Sequence, residues 1–434
     1  MSKNINIFWF RRDLRLDDNH ALYKALKAGL PVLPIFIFDT EILNDLQKDD
    51  ARVTFIHEQL QQLRKSLEDD YGSSIGFYHG TPEAVFRQLI SDYTIHSVFT
   101  NRDYEPYATQ RDTRIKSLFD RHNIEFNTYK DHVIFEKDEV VKKDGSPYLV
   151  YTPYMKTWKS TFKAHDLTPF KSETHLDRLI QDKELPNLSL SAIGFQPSNQ
   201  NISPYEVSSS LIQNYEATRN FPAADSTSRL GPHLRFGTVS IRKVVKKAIS
   251  EANEIFWQEL IWREFFIQIL WHFPQTTNQS FKPQYDRIVW RNNEDEFQKW
   301  CDGHTGYPLV DAGMRQLNQT GFMHNRVRML VGSFLCKHLL IDWRWGEAYF
   351  AEKLHDYEMA SNVGNWQWVA GTGVDASPYF RIFNPTTQIQ KFDKHHDYIK
   401  TWVPEYQESS YPQPMVDHKE ARERCLKTYK SALQ

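Results

Sequence analysis

The sequence lacks the cysteine patterns that mark disulfide frameworks and zinc sites. Its 434 residues contain three cysteines, Cys301, Cys336 and Cys425, which lie far apart and form no C-x-x-C pair. Small disulfide-bonded domains and structural zinc sites need cysteines at short, regular spacings. We therefore expect free thiols in a reducing compartment and no metal site.

Long apolar runs and an excess of one charge are also missing. No stretch approaches the roughly 20 apolar residues that span a membrane, and the start, M-S-K-N-I-N-I-F-W-F, has no signal-peptide core. We expect a cytoplasmic protein without a membrane anchor. Lysine plus arginine (53) nearly balance aspartate plus glutamate (55). This balance neither supports nor excludes a nucleic-acid partner, since a local basic groove suffices to bind one.

Aromatic residues, by contrast, are abundant. The chain has 12 Trp, 21 Tyr and 28 Phe, together 14% of its residues. Most of these rings are expected in a core, while some could stack on a ligand. At this length the chain fits two domains and a connector.

The first third of the chain alternates short apolar strands with helical segments. Strand-like segments occur at residues 5–10, 31–38, 75–78 and 97–100, and helical segments separate them. This alternation predicts an α/β N-terminal domain with a doubly wound parallel sheet. Since no G-x-G-x-x-G occurs there, a Rossmann dinucleotide site is not expected in it.

The rest of the chain predicts a connector followed by helices. Residues 136–200 are polar and rich in Pro and Ser, apart from a helical segment at 153–162. After residue 201 the periodicity is helical almost throughout, for example at 254–272, 310–320 and 325–339. We expect an N-terminal domain over residues 1–135, a connector over 136–200 and an all-α C-terminal domain over 201–434.

A block of unusual composition runs from Asn362 to Gln388, N-V-G-N-W-Q-W-V-A-G-T-G-V-D-A-S-P-Y-F-R-I-F-N-P-T-T-Q. The requirements of core packing alone do not explain this mixture of tryptophans, amides, glycines and an aromatic-basic segment. Together with F-W-F-R-R-D-L-R-L-D-D-N near the start, W-Q-E-L-I-W-R-E-F-F and M-H-N-R-V-R-M, the block resembles the photolyase/cryptochrome family. The resemblance covers essentially the whole chain and is densest from Trp257 to Phe392.

The resemblance implies FAD as the cofactor of the helical domain. Thr227, Ser228, Arg229 and Leu230 follow Tyr215 by twelve or more residues and match the family's flavin-binding segment. Hydroxyls and backbone amides before a helix suit phosphate, although a helix cap explains the same residues. The other positions implied to bind the flavin are Arg263, Arg328, Asp356, Glu358 and Asn362.

Asn362 and Glu358 bear on the branch of the family. Asn362 could cap a helix or a turn, but the resemblance implies that its neutral amide faces the flavin N5. Plant cryptochromes carry an acid at the matching position and many animal cryptochromes a cysteine, so Asn362 favours the repair branch. Glu358 departs from the family, which more often has Asp there.

Three tryptophans, Trp290, Trp343 and Trp366, lie in separate segments of the helical region. Each alone would be interpreted as a core residue. At the matching family positions they form a hopping chain that carries an electron from the surface to excited, oxidised flavin. The resemblance implies that Trp366 is proximal, Trp343 is the middle step and Trp290 is the solvent end.

Glu259, Trp262 and Arg263 lie three or four positions apart on a predicted helix, so they share one face. A surface Glu and a core Trp would explain this spacing too. The resemblance implies that Glu259 is catalytic and that a cavity for a flipped-out lesion is lined by Glu259, Trp262, Asn325, Met329 and Trp368. It also implies that Arg326 and Arg381 contact the flanking DNA phosphates.

The lesion type follows from two positions. Photolyases for (6-4) products place two histidines where this chain has Asn325 and Met329, because that reaction needs an imidazolium acid. His324 is one position away, and we expect it to be a structural hydrogen-bonding residue. The cyclobutane dimer splits without such an acid, so the sequence favours the cyclobutane pyrimidine dimer.

The resemblance thus implies a monomeric class I deoxyribodipyrimidine photo-lyase, a carbon-carbon lyase that repairs UV-damaged DNA by electron transfer from excited reduced FAD to the dimer. Two alternatives stay open, namely a cryptochrome-type blue-light photoreceptor and a photolyase specific for single-stranded DNA. The family's folate-binding Asn-Glu pair is Tyr107-Ala108 here. A folate, a deazaflavin, a second flavin or no antenna chromophore therefore remain possible.

Overall fold

The computed structural model describes residues 4–434, which form two compact units. The first unit consists of residues 4–136, Thr161–Tyr205 and Arg229–Ser250. The second consists of Lys137–Ser160, Glu206–Ser228 and Glu251–Gln434. Residues of the predicted connector contribute to both units, and the division at residues 135 and 200 stays a proposal about domains.

A parallel sheet forms the first unit, as the strand–helix alternation predicts. Within the described residues it has five strands in the order β3-β2-β1-β4-β5. Alternate residues of the first strand enter two separate cores, Phe8 and Phe10 on one face and Ile7 and Trp9 on the other. Helices cover both faces, which confirms the doubly wound arrangement. The strands are β1 (Asn4–Phe10), β2 (Val32–Asp39), β3 (Gly76–Gly80), β4 (Thr94–Asn101) and β5 (Glu125–Tyr129).

The sequence-based interpretation missed β5. This strand lies at the edge of the sheet, and none of its five residues is fully buried. It therefore lacks the continuous apolar run that identifies a central strand such as β2, which is buried along its whole length. An edge strand of this kind is recognised only once its neighbour is in place.

The helices, in chain order, are α1 (His20–Leu26), α2 (Thr40–Leu43), α3 (Ala51–Asp70), α4 (Pro82–Asp92), α5 (Pro106–Arg121), α6 (Tyr151–Thr161), α7 (Ser209–Thr218), α8 (Leu230–Phe236), α9 (Ile241–Ile249), α10 (Glu254–His272), α11 (Glu294–Cys301), α12 (Pro308–Thr320), α13 (Asn325–Ser333), α14 (Trp343–Lys353), α15 (Met359–Ala370), α16 (Pro385–Phe392), α17 (Asp397–Trp402) and α18 (His418–Leu433). Short 3-10 turns occupy Ala164–Leu167, Ser172–Arg178, Ser191–Ile193, Pro274–Thr277 and Pro283–Arg287. The second unit is helical, as predicted.

The predicted helical segment over residues 325–339 is present, but its last turn is not α-helical. His324 caps α13 by accepting the N–H of Arg326 at its Nδ1 (3.2 Å), as expected of a structural histidine. The α-helix ends at Ser333, and Phe334–His338 forms a π-helical turn. Hydrophobic periodicity predicts that a helix is present but carries no mark of the wider turn.

Close packing joins α10 to α15 in the helical unit. A Cβ on Gly364 would collide with the ring of Phe266, so glycine lets the two helices approach. Helix α15 begins after Glu358 and ends before Gly371, whose φ of +87° suits glycine. This approach fixes the helix that carries Asn362 and Trp366.

Two further observations concern the predictions from composition. Within residues 4–434 no helix combines the length and the apolar character needed to cross a membrane. Cys301, Cys336 and Cys425 are all buried free thiols. The cysteines therefore act as small core residues.

Candidate active site

Two arginine–carboxylate pairs lie at the start of α15. Arg263 of α10 donates to Glu358 from Nε (3.0 Å) and Nη2 (3.1 Å). Arg328 of α13 donates to Asp356 from Nη1 (3.1 Å) and Nη2 (2.9 Å), and its Nε donates to the carbonyl of Met323 (2.7 Å). Such two-pronged pairs hold guanidinium and carboxylate in a fixed plane. The structure thus brings these four predicted residues together as pairs.

The two pairs differ in their access to solvent. Arg263 and Glu358 are largely buried, whereas the side chains of Arg328 and Asp356 retain 24% and 21% of their surface. The longer side chain of Glu358 still reaches Arg263 with both oxygens. Arg328 also keeps two of the five N–H groups of an arginine without an acceptor in the described part of the chain. A ligand with acceptor oxygens can use them.

Asn362 is buried on α15, and its amide is oriented by a residue that the sequence analysis missed. Its Nδ2 donates to the backbone carbonyl (3.0 Å) and to Oε1 (2.9 Å) of Glu347 on α14. Burial raises the pKa of Glu347, and the bond from Asn362 opposes that rise. With both N–H groups used, Oδ1 remains as an acceptor that no described residue fills. No sequence spacing links the two residues, which are 15 positions apart.

The predicted flavin-phosphate segment divides between the two units. Thr227 and Ser228 are half-buried in an irregular stretch of the second unit, and the carbonyl of Ser228 accepts the N–H of Glu206 (2.8 Å). Arg229 belongs to the first unit and precedes α8 with φ at +54°, a left-handed conformation uncommon for arginine. Leu230 begins α8 and is buried. Backbone strain of this kind, a non-glycine residue with positive φ, is found most often at functional positions.

An ion pair occupies the predicted substrate side of α10. Glu259 accepts a hydrogen bond from Nη1 of Arg219 at 2.5 Å, and the side chains keep 35% and 21% of their surface. The Arg219 guanidinium also lies 5.2 Å from the ring centre of Tyr215. Burial, with a smaller contribution from Glu259, raises the pKa of Tyr215 to about 12. The sequence analysis missed Arg219, which is 40 residues from its partner.

Trp262 also lies on α10, and its indole stacks on a ring of another helix, that of Tyr151 on α6. Its indole and the phenol of Tyr151 are 3.5 Å apart and nearly parallel, at 7°. The Tyr151 hydroxyl donates to the carbonyl of Gln258 (2.8 Å), which holds the stack in place. The expected core role and the expected stacking role are both compatible with this half-buried position.

Arg326 and Met329, one turn apart on α13, contact each other. Nη1 of Arg326 lies 3.5 Å from Sδ of Met329, and Nη2 donates to Oδ1 of Asn220 (2.5 Å). Burial and then the nearby charge of Arg219 lower the pKa of Arg326. Arg219 and Arg326 outnumber Glu259 here and give this part of the unit a local positive charge that the net charge of -2 conceals.

The remaining substrate predictions are not joined to this group. Asn325 is exposed at the start of α13, Trp368 packs against the helical core, and Arg381 is exposed between α15 and α16. Within residues 4–434 no hydrogen bond or ring contact links these three side chains to Glu259 or Trp262. Their common role rests on the resemblance alone.

The three tryptophans predicted to form a chain share one hydrophobic core. Trp366 and Trp343 are buried in it, and Trp290 packs against it. The ring of Trp366 meets that of Trp300 at 6.2 Å, and Trp290 meets Tyr429 edge-on at 6.0 Å. In the described part of the chain no direct ring contact joins the three predicted members to each other.

Comparison with known proteins accounts for this combination of groups. Residues 6–173 match the family described as DNA photolyase, and residues 256–410 match the FAD binding domain of DNA photolyase. The deoxyribodipyrimidine photo-lyase of Agrobacterium fabrum is 37% identical over 471 aligned positions, which cover 98% of this chain and 97% of the relative. That of Escherichia coli is 33% identical, with 98% of each chain covered. The chain belongs to the DNA photolyase family.

Solved photolyase structures share the fold. A class III photolyase from Agrobacterium tumefaciens superposes with a TM-score of 0.88 at 35% identity, covering 100% of this chain and 98% of the other. A photolyase from Sulfolobus tokodaii that holds two FAD molecules gives 0.83 at 33%, covering 99% and 100%. A cryptochrome from Synechocystis gives 0.84 at 26%, covering 99% of each. The fold prediction is confirmed, whereas the class I assignment stays a prediction.

FAD is the cofactor of the helical unit, in line with the family match over residues 256–410. The donor set of this structure fits a flavin nucleotide. The half-exposed guanidinium of Arg328 offers N–H groups to anionic or carbonyl oxygens, and Asn362 Oδ1 offers one buried acceptor to a ring N–H. Neither group adds a net charge beside a neutral flavin ring, because Arg328 is paired with Asp356.

Tyr107 and Ala108, which stand where the family has its folate-binding pair, lie in the first turn of α5. Tyr107 donates its hydroxyl to the carboxylate of Asp39, the last residue of β2. The guanidinium of Arg111 lies over the rings of both Tyr107 (5.7 Å) and Trp9 (5.0 Å). Ala108 is buried beside them. The Sulfolobus relative holds a second FAD molecule, which implies a light-harvesting cofactor in that protein.

Proposed function

We propose that this chain repairs cyclobutane pyrimidine dimers in UV-damaged DNA in a light-dependent reaction. The observation that carries the proposal is the half-exposed Glu259–Arg219 pair beside the Trp262 stack, on the helix whose Arg263 belongs to the flavin group. A carboxylate and an indole side by side suit a pyrimidine, which has both an N–H edge and an aromatic face. Dimers are easier to flip out than intact bases because they stack poorly.

We assign the flavin contacts to Tyr215, Thr227, Ser228, Arg229, Leu230, Arg263, Arg328, Asp356, Glu358 and Asn362. Bound FAD would supply the electron that light transfers to the dimer and would take it back. Asn362 offers a neutral acceptor whose direction Glu347 sets. Trp290, Trp343 and Trp366 would relay an electron from a reductant in solution to oxidised flavin under illumination.

The chain's other residues bind and orient the substrate. Glu259 accepts a base N–H, and its ion pair with Arg219 either opens or is shared when the lesion binds. Because both side chains are partly exposed, such an exchange costs little. Trp262, Asn325, Met329 and Trp368 line the lesion cavity, and Arg326 and Arg381 contact phosphates. Phosphate contacts position the duplex without reading its sequence.

The lesion preference rests on which groups can release a proton. An asparagine amide and a methionine thioether, at Asn325 and Met329, do not act as acids near neutral pH. The nearby His324 has its Nδ1 engaged by the N–H of Arg326, in the first turn of α13. A (6-4) product needs proton transfer during repair, and this chain offers no histidine side chain at the matching positions. The cyclobutane dimer is therefore the favoured substrate.

A repair assay tests the proposal. Purified protein with chemically reduced flavin is illuminated with blue light together with duplex or single-stranded oligonucleotides that carry one cyclobutane dimer or one (6-4) product. We expect restored bases in the cyclobutane duplex alone. Repair of the single strand alone would indicate a single-strand-specific photolyase. No repair of any substrate, with flavin bound and photoreducible, would favour the blue-light photoreceptor.

Two smaller proposals accompany this function. We propose that the protein acts as a monomer, which sedimentation with and without damaged DNA would test. An antenna, if one binds, is a folate, a deazaflavin or a second flavin. The absorption spectrum of the purified protein, recorded from the near ultraviolet through the blue flavin bands, would distinguish the three.

A further inference from the structure

The segment between α15 and α16, residues 371–384, presents an aromatic residue and a cation to solvent. Phe380 is 61% exposed, and its neighbour Arg381 is exposed as well. We take from the proposed function that Arg381 contacts a DNA phosphate, and what we infer here rests on that function. A side chain on an exposed segment can meet a phosphate at a set place only if the backbone beneath it is held.

A buried lysine holds that backbone. Lys337 lies in the π-helical turn Phe334–His338 and is fully buried. Its Nζ donates to the carbonyls of Tyr379 (3.2 Å) and Arg381 (3.0 Å). These two carbonyls belong to the residues on either side of Phe380. One ammonium therefore hydrogen-bonds to the backbone on both sides of the exposed tip.

The ammonium has no charged partner to offset its burial. Within residues 4–434 no carboxylate lies within ion-pairing distance of Lys337, and the buried groups beside it include Cys336 and Cys425. Burial lowers the pKa of Lys337 to about 8, so the side chain still carries its proton at neutral pH. A buried, unpaired ammonium disfavours folding. An apolar side chain would fill this place at lower cost, and it would lose both carbonyl contacts.

Other contacts anchor the first part of the segment, and a local turn, in which the N–H of Arg381 donates to the carbonyl of Pro378 (2.9 Å), shapes the tip itself. The ring of Tyr379 stacks on that of Tyr429 at 5.8 Å, and the Tyr429 hydroxyl donates to the carbonyl of Ala370 (2.8 Å). Asp375, at φ +46°, accepts the N–H of Tyr151 (3.0 Å). These contacts fix where the segment starts and passes over the helices. The carbonyl of Arg381 lies beyond them.

We propose that Lys337 is a positioning residue for DNA binding, which sets the tip of residues 371–384 so that Arg381 meets a phosphate beside the lesion. Lys337 itself is too buried to touch DNA. Ordering the tip in the free protein removes an ordering cost that would otherwise fall on binding. The structure thus links the wider turn of the π-helix, which places Lys337 beneath the tip, to the affinity for damaged DNA.

A double-mutant cycle with Lys337→Met and Arg381→Ala tests this proposal. The dissociation constant of a duplex with one cyclobutane dimer is measured over a range of salt concentrations, and the repair rate is measured at saturating protein. We expect each single variant to weaken binding about tenfold and to lower the slope of log affinity against log salt by about one. The double variant should be no weaker than the worse single one. For Lys337→Met, whose side chain does not touch DNA, the saturated repair rate should stay within about twofold of the wild type.

Control variants separate positioning from general stability. Tyr429→Phe removes a buried hydrogen bond at the start of the same segment and should lower the melting temperature without changing the salt slope. Lys337→Gln keeps N–H donors without the charge and should recover part of the affinity. If neither Lys337 variant folds with FAD bound, the residue serves the core and the proposal fails.

The remaining outcomes are also decisive. Additive losses in the double variant, or an unchanged salt slope in Lys337→Met, would overturn the positioning role while the proposed function stands. A wild-type protein that neither binds nor repairs the dimer would overturn both.

Discussion

A buried charge network in the first unit contrasts with two partly exposed ion pairs in the second. In the first unit Asp131 is buried and accepts hydrogen bonds from Arg15 (2.6 Å) and Arg242 (2.8 Å), and Arg242 also donates to Asp18 (2.9 Å). In the second unit the pairs Arg219–Glu259 and Arg328–Asp356 keep between 21% and 35% of each side chain exposed. The first arrangement is closed, whereas the second is open to solvent.

This difference separates charges that hold the fold from charges that can serve a ligand. Burial alone would raise the pKa of Asp131, but Arg15 and Arg242 outweigh it and keep that pKa well below its usual range. A buried network of this kind is out of reach of a ligand, and breaking it strands a buried charge. A half-exposed pair exchanges one partner for another at small cost. Asp131→Asn and Glu259→Ala test the comparison, and Trp366→Phe, an uncharged core substitution, lies between them in its expected effect on the free energy of unfolding.

Asp131→Asn should have the largest effect, a loss of about 3–5 kcal/mol in the free energy of unfolding, because it leaves Arg15 and Arg242 without their shared carboxylate. Urea unfolding at pH 7 measures it. The folded-state pKa of Asp131 lies below the unfolded value of about 3.9. Its stabilisation is therefore present above about pH 4 and is lost as the pH falls further. The Asn variant should lack this part of the acid dependence.

The matched control is Asp120→Asn, which breaks the exposed pair with Lys116 on α5. It should change stability by less than about 0.5 kcal/mol. Equal effects of the two substitutions would mean that the buried network is no more important to the fold than a surface pair.

Trp366→Phe should have an intermediate effect on stability, about 1–2 kcal/mol, because a smaller ring leaves space in the helical core. Its functional effect should be larger. We expect light to stop reducing oxidised flavin, since the ring proposed to lie next to the flavin is no longer oxidisable, while chemically reduced protein still repairs. Flavin absorption during illumination measures the first and the repair assay the second.

Two further variants identify the route beyond Trp366. Trp343→Phe should block photoreduction in the proposed chain, whereas Trp300→Phe should not, although Trp300 has the direct ring contact. The opposite result would move the middle step to Trp300. Normal photoreduction in Trp366→Phe would remove the hopping assignment altogether.

Glu259→Ala should have the smallest effect on stability, between 0 and about 1 kcal/mol, because its ion pair is partly exposed. It should nevertheless weaken lesion binding or repair about tenfold to hundredfold, since a base N–H then lacks its acceptor. Flavin content should not change. The control is Glu254→Ala on the same helix, whose pair with Lys159 is exposed. Equal repair by both variants would contradict the role of Glu259.

Local patterns in the chain predicted much of the fold. The apolar runs of β1 and β2 and the periodicity of α10 identify these elements because each buries a continuous surface. The edge strand β5 and the π-helical turn escaped the same reasoning. One depends on a neighbouring strand for its burial, and the other depends on how α13 packs.

The candidate site divides in the same way. Motif resemblance indicated Arg263, Asp356 and Asn362 for the flavin and Glu259 and Trp262 for the substrate. It contained no sign of the residues that orient them. Arg219 is 40 positions from Glu259, and Glu347 is 15 positions from Asn362. Neither separation is a helical or strand period, so no local rule connects the partners.

The sequence by itself determined the family, the two fold types and the chemical character of the site residues, because these depend on residue type and on short-range spacing. Only the tertiary structure decided which carboxylate meets which arginine, which atom of Asn362 stays available, and that Lys337 lies beneath Arg381. Such contacts join residues up to 95 positions apart. They arise from helix packing, which acts over the folded chain and leaves no local signal in the sequence.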